Sequence, residues 1–253
     1  MQLKTALAVC RSDDSPDSYV AYRRLLIERP VLTRAELDDL LGEVELLPVA
    51  DLLPDCYPEA PAAYRQDGRF AVCAGCGCLM RPQRNGGWTC ELDRCRRHGE
   101  AAIGRLIDLA TTRGVHHLAL PLRTFITGPG LVEIELESEL RKLGLQVDMW
   151  PDFDAYDLAV TFRNGTVWAI DAKDRADPRL LGRSMTWLPR KPDWNRFFLV
   201  VPDHRVAQRA DYISTFKRHC DTEIADRLRL YSVREFLKLV RRHLRQSKEV
   251  PHA

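Results

Sequence analysis

Asp157, Asp171 and Lys173 are the residues of this chain whose types and spacing best suit chemistry. The stretch from 157 to 173 alternates apolar and polar residues around Asn164-Gly165, which predicts two β-strands joined by a two-residue type I′ turn. Leu158, Val160 and Phe162 line one strand, and Val167, Trp168 and Ile170 the other. Folding at Asn164-Gly165 carries Asp157 and Asp171 to the same open end. Strand residues two apart share a face, so Asp171 and Lys173 point the same way. Two carboxylates and an ammonium then converge at one sheet edge. A hard divalent cation takes one or two carboxylates together with waters and a phosphate oxygen, and a lysine beside it can orient water or offset developing charge.

The elements needed to hold such a site are in order along the chain. Leu131 to Gly144 reads as a helix with Leu136, Leu140 and Leu143 as its apolar stripe and Gly144 as its C-terminal cap. Glu133, one turn before Leu136, shares that face; Glu137 borders it and is the second choice. Glu135 and Glu139 read as solvent-facing. Beyond the hairpin, Phe197 to Val201 is an apolar strand, Val206 to His219 a helix, Leu228 to Tyr231 a short strand, and Ser232 to Arg245 a final helix. That helix pairs an apolar face with a basic one (Arg234, Lys238, Arg241, Arg242, Arg245).

With this order of elements, Asp157 and Asp171-Ala172-Lys173 resemble the core motif of the PD-(D/E)xK nuclease superfamily, the restriction-endonuclease-like fold. The resemblance implies an α/β core, a mixed β-sheet flanked by helices in the order αβββαβ. It implies Mg²⁺ or Mn²⁺ held by Asp157 and Asp171, Lys173 acting on the attacking water, and Glu133 as the helix carboxylate. The bland alternative is an amphipathic hairpin with two surface aspartates, since a bare Asp-x-Lys is common.

Cysteines form the second cluster. Of eight, five fall between residues 73 and 95. Cys73-x2-Cys76 and Cys90-x4-Cys95 have the spacing of a four-thiolate structural Zn²⁺ site; Cys78 and His98 are alternative ligands. Cys10, Cys56 and Cys220 read as buried thiols. Nothing in the chain reads as a secretory signal, which argues against a secreted disulfide framework. Arginines crowd this module, and Arg81, Arg84, Arg96 and Arg97 are the candidates for contacting a nucleic-acid backbone; a solvated surface is the competing reading. Trp88 reads as the module's small core.

A length of 253 residues, 45% hydrophobic and 29% charged content, and a formal charge of +2 describe an ordinary globular composition with no membrane-spanning stretch. Residues 1–62 are expected to form a small α-helical region, with helices at Pro16 to Glu28 and from the capping box Thr33-Arg-Ala-Glu36. Proline-rich residues 48 to 61 read as a linker. Residues 63–99 are the zinc-ribbon-like module, residues 100–127 a connector (a helix from Glu100 to Arg113, then an extended segment from His116 to Phe125), and residues 128–253 the nuclease-like domain.

A zinc module placed before such a domain resembles, more narrowly, the restriction-endonuclease-like component encoded beside a prokaryotic PIWI-related protein and a helicase in defence islands. That resemblance implies a cytoplasmic protein acting on invading nucleic acid, DNA in the first instance, with those partners. Oligomeric state is left open, a dimer included. Two functions of different class stand: a Mg²⁺-dependent endonuclease, and a non-catalytic zinc-containing nucleic-acid-binding adaptor on a nuclease-like scaffold.

Overall fold

The computed structural model describes residues 2–84, 86–97, 101–187 and 189–248. The chain divides into two compact units, Met1–Leu131 and Val132–Ala253.

The first unit opens with helices Gln2–Ser12 and Pro16–Glu28. The second of these buries Tyr19, Tyr22, Leu26 and Ile27. β1 (Val31–Thr33) follows and pairs antiparallel with β7 (Val115–His117). The capping box forms as read: the Glu36 N–H donates to Thr33 Oγ1 at 3.2 Å, and the Thr33 N–H donates to Glu36 Oε2 at 2.6 Å. β2 (Arg65–Gln66), β3 (Arg69–Cys73) and β6 (Ile103–Asp108) make an antiparallel sheet, and β4 (Arg81–Pro82) pairs with β5 (Trp88–Thr89).

Three expectations for this unit are corrected. Residues 48 to 61 are not a bare linker: Val44–Leu52 is a 3₁₀ helix, Leu53–Cys56 a short α-helix, and Leu53, Cys56 and Tyr57 are buried. The helix from Glu100 to Arg113 is instead strand β6, because β3 has an open edge that only another strand can satisfy. Gly104 marks the reason: a Cβ there would lie 2.9 Å from Ala74 Cα, a backbone approach that no helix-forming residue permits. Only the start of the extended segment from His116 to Phe125 is extended, as β7, before the chain coils into helical turns at Leu120–Leu122 and Arg123–Thr127.

The second unit is a five-stranded mixed sheet in the spatial order Arg229–Ser232, Arg196–Val201, Val167–Ala172, Leu158–Thr161, Gln146–Met149. The helix Gly128–Lys142 leads into β8 (Gln146–Met149), followed by β9 (Leu158–Thr161), β10 (Val167–Ala172), β11 (Arg196–Val201) and β12 (Arg229–Ser232). β9 pairs antiparallel with both β8 and β10, whereas β10, β11 and β12 run parallel. Parallel neighbours need crossovers. These are helix Pro178–Ser184 between β10 and β11, and helices Asp203–Gln208, Tyr212–His219 and Thr222–Arg227 between β11 and β12. The expected single helix from Val206 to His219 is therefore two; extended Arg209 (φ −146°) breaks it, and the Asp211 carboxylate accepts from Thr215 Oγ1 at 2.7 Å as the next helix begins.

The central strands are buried on both faces. One face packs Leu199, Val201 and Phe197 against Leu181, Tyr212 and Phe216. On the other, Trp168 lies against Phe198 and Phe236, the latter from the final helix Val233–Lys248.

The hairpin at Asn164-Gly165 forms, but not as a type I′ turn. Gly165 alone of the pair has positive φ, 78°. Phe162 O accepts from the Gly165 N–H at 2.9 Å and the Phe162 N–H donates to Thr166 O at 2.9 Å. This is the three-residue loop, a type I turn closed by a left-handed glycine.

Candidate functional site

Asp157 stands immediately before β9 and Asp171 is the fifth residue of β10. The register pairs Ile170 with Leu158, so the next residues out, Asp171 and Asp157, meet at the end of the hairpin. The Asp157 carboxylate accepts from the Ala172 N–H at 2.7 Å and from Lys173 Nζ at 3.2 Å, both on Oδ2. Lys173 Nζ lies 2.6 Å from Asp171 Oδ1. The ammonium thus lies between the two carboxylates. Both aspartates are buried, while the Lys173 side chain is 40% exposed, so the group of three opens to solvent on the lysine side.

Burial first, and Asp157 second, push the Asp171 carboxyl up to about 8, with Lys173 opposing. Burial alone would lower the Lys173 pKa; Asp157 and Asp171, with Glu133 behind them, raise it instead. Such a pair of crowded, desolvated carboxylates is a site at which added positive charge is favourable. The donors fit a hard divalent ion: they are carboxylate oxygens, close together, with an exposed side.

Glu133 and Glu137 are both buried on the helix Gly128–Lys142, on the face that also buries Val132, Leu136 and Leu140. Their partners differ. Glu133 Oε2 accepts from Trp150 Nε1 at 2.5 Å and contributes to the field at Lys173. Glu137 is paired with Arg141 at 2.9 Å, and Arg141 also donates to Val147 O. Glu135 is exposed, and Glu139 is paired with Lys142.

Trp150 was not singled out in the sequence, and its setting is unusual. Trp150, Asp152, Phe153 and Asp154 all have positive φ, from 46° to 72°. The segment is a left-handed turn between β8 and Asp157, a conformation that costs L-residues about 1–2 kcal/mol each. The Trp150 N–H donates to Asp157 O at 2.8 Å, so this turn joins the Glu133 helix to the Asp157 strand end. Pro151 directly after Trp150, with Asp152 and Asp154 close behind, was the available signal. Also unread was Asp174, which ion-pairs with Arg205 at 2.5 Å beside Lys173.

In the first unit, Cys73, Cys76, Cys90 and Cys95 come together with their sulfurs all within 4.8 Å of one another, close enough to hold a metal ion such as zinc. Cys73 and Cys76 flank the turn after β3, and Cys90 follows β5. Hydrogen bonds from Cys76, Cys90 and Cys95 hold the Cys73 thiol well below its ordinary value, whereas Cys73 and Cys78 push Cys76 upward. Four thiols at this spacing cannot all ionise without a cation among them. Cys78 is buried in the same cluster but is not one of the four; His98 lies outside the described residues. Trp88 packs half-buried against the cluster.

The module's arginines divide. Arg81 is paired with Glu91 and lies over the Tyr64 ring, 4.8 Å from its centroid; Arg97 is paired with Asp93. Arg84 and Arg96 are exposed and without ion pairs among the described residues. Glu91, next to Cys90, also takes the buried Arg123 at 2.6 Å and the Tyr64 hydroxyl at 2.6 Å.

Residues 130–248 match the family described as REase associating with pPIWI_RE. The match supports a restriction-endonuclease-like component of PIWI-RE systems over that part of the chain, in line with the resemblance drawn from the zinc module placed before such a domain. No curated protein and no solved structure matches the chain. Among the described residues, no helix is long and apolar enough to cross a membrane.

Proposed function

We propose that the second unit is a metal-dependent endonuclease that hydrolyses phosphodiester bonds, with DNA as the substrate. The observation that carries this reading is the convergence of Asp157, Asp171 and Lys173 at the end of the hairpin, with the two carboxylates destabilised by each other. Asp157 and Asp171 would hold Mg²⁺ or Mn²⁺, which when bound polarises the phosphate and makes a water more acidic. Lys173 donates toward the attacking water or a phosphate oxygen and offsets the charge that builds on it. Glu133, fixed by Trp150, sets the field at Lys173 and is the helix carboxylate; Glu137, held by Arg141, is not. The cysteine cluster supports a closed structural Zn²⁺ site with no open coordination position. The family description supports action together with a PIWI-related protein in a defence system, a helicase being the further expected partner.

The expected result is strand cleavage in Mg²⁺, loss on removal of divalent ions, and loss of at least a hundredfold in Lys173→Ala, the usual scale for a charge-stabilising group. The assay includes the PIWI-related protein. Cleavage by Lys173→Ala at the wild-type rate would overturn the mechanism.

One observation favours the adaptor reading: the Lys173 ammonium already ion-pairs with both carboxylates, in the position a metal ion would otherwise take. The two readings part on thermal stability. A metal site predicts that Mg²⁺ raises the Tm of Lys173→Ala more than that of the wild type, because the ion replaces the lost cation. An adaptor predicts no response in either.

A further inference from the structure

The second unit carries a cleft of about 500 Å³ at the end of its sheet opposite Asp171 and Lys173. Its floor is the N-terminal end of β11 and β12, at Arg196 to Phe198, Arg229 and Tyr231. β10 runs parallel to β11 with Trp168 beside Arg196 and Ala172 beside Val200. The cleft and the aspartate pair are therefore separated by the length of β10, roughly 13 Å at a strand's rise per residue.

Two kinds of side chain line it. Trp187, Trp194 and Tyr231 supply flat aromatic surface; Trp187 is 41% exposed, an unusual place to leave an indole. Arg190, Arg196, Arg227 and Arg229 supply the charge. All four are exposed and none is ion-paired among the described residues, in contrast to Arg81 and Arg97 of the cysteine module. Glu223 is the single acid in the lining. The Arg190 guanidinium lies 4.1 Å from the centroid of the Trp194 ring, and that of Arg227 lies 5.9 Å from the Trp187 ring. Indole faces with guanidiniums lying over them, one indole being exposed, match a planar base joined to a phosphate. An acidic peptide would use the charge and leave the rings unused. A duplex would offer phosphates but keep its bases stacked inside.

We propose that this cleft binds single-stranded nucleic acid, stacking a base on Trp187 and Trp194 and holding the adjoining phosphates with Arg190, Arg227 and Arg229. The site is distinct from the aspartate pair and does not depend on hydrolysis. It gives the chain a grip on an unpaired strand about one sheet length from the proposed cutting point.

The test is fluorescence anisotropy of the full chain with a labelled oligothymidylate of about eight nucleotides, within the range that such grooves accommodate, in buffer free of divalent ions. Trp187→Ala is expected to weaken binding about tenfold, the lower part of the range for losing one stacked base, and Trp187→Phe to restore most of it. Arg190→Glu with Arg229→Glu is expected to weaken binding and to flatten its dependence on salt. Circular dichroism checks that each variant is folded. Wild-type affinity in both Trp187→Ala and the double arginine variant would overturn the proposal. So would equal competition by polyglutamate, by a duplex of the same length, or by thymidine monophosphate at matched concentration; these would assign the cleft to an acidic peptide, paired nucleic acid or a free nucleotide.

Discussion

Asp171 combines two roles that pull stability and chemistry apart. Its carboxyl is pushed up to about 8, from an ordinary 3.8, by burial and then by Asp157. A folded-state value above the unfolded one means that the folded chain holds this proton more tightly. That contribution to stability is present below the ordinary value and is lost as pH rises toward 8. Asp171→Asn imitates the protonated form at every pH. In magnesium-free buffer it should match the wild type only below about pH 4, where Asp171 is protonated in both folded and unfolded chains, and exceed it by about 1 kcal/mol or more near about pH 8. Urea denaturation at the two pH values reads this directly. The same variant should lose nuclease activity, the trade-off expected where a strained charge pair is kept for function. A variant less stable than the wild type at the higher pH would show that the Lys173 contact outweighs burial and the repulsion from Asp157.

At the scale of elements, the parts of the site that repeat a local rule were legible. The apolar period of the helix Gly128–Lys142, the capping box at Thr33 and Glu36, and the alternation around Asn164-Gly165 all show in single short windows. The parts set by distant partners were not. β6 has enough helix-compatible residues to read as a helix, and only its pairing with β3 decides otherwise. The turn type was misread as I′, because Asn-Gly serves a two-residue loop and a three-residue loop equally well until strand register is known. Least legible was the left-handed segment from Trp150 to Asp154, since nothing in ordinary propensity predicts non-glycine residues there. It persists because Trp150 is buried and bonded to both Glu133 and Asp157. Asp152 is exposed within it at φ 49°, which isolates the backbone cost. Asp152→Gly should therefore be more stable than Asp152→Ala by about 1 kcal/mol, the reverse of the order in a helix. Equal stability of the two would mean that the segment relaxes out of the left-handed region when Asp152 is replaced.

The two units of the chain carry separate devices, and heat should reveal them separately. The cysteine cluster and His117 belong to the first; the aspartate pair belongs to the second. A zinc ion on four thiolates supplies a large part of a small module's folding free energy, and proton competition for the sulfurs weakens it in acid. His117 adds to the same trend. It is buried, its Nε2 accepts from the Leu79 N–H at 3.2 Å, and burial followed by the Arg123 charge lowers its pKa to about 3. A histidine whose folded value is depressed contributes stability above its ordinary value of 6.5, and that contribution is lost as pH falls toward 3. Calorimetry of the full chain is expected to show two transitions. Only the first unit's transition should fall with a zinc-selective chelator or on moving from about pH 7 to about pH 5, and only the second unit's should rise with Mg²⁺. His117→Gln, which cannot take up the proton, should be less stable than the wild type at neutral pH but should lose less on acidification. A chelator that lowers both transitions together would show that the cysteine cluster supports the whole chain rather than the unit that contains it.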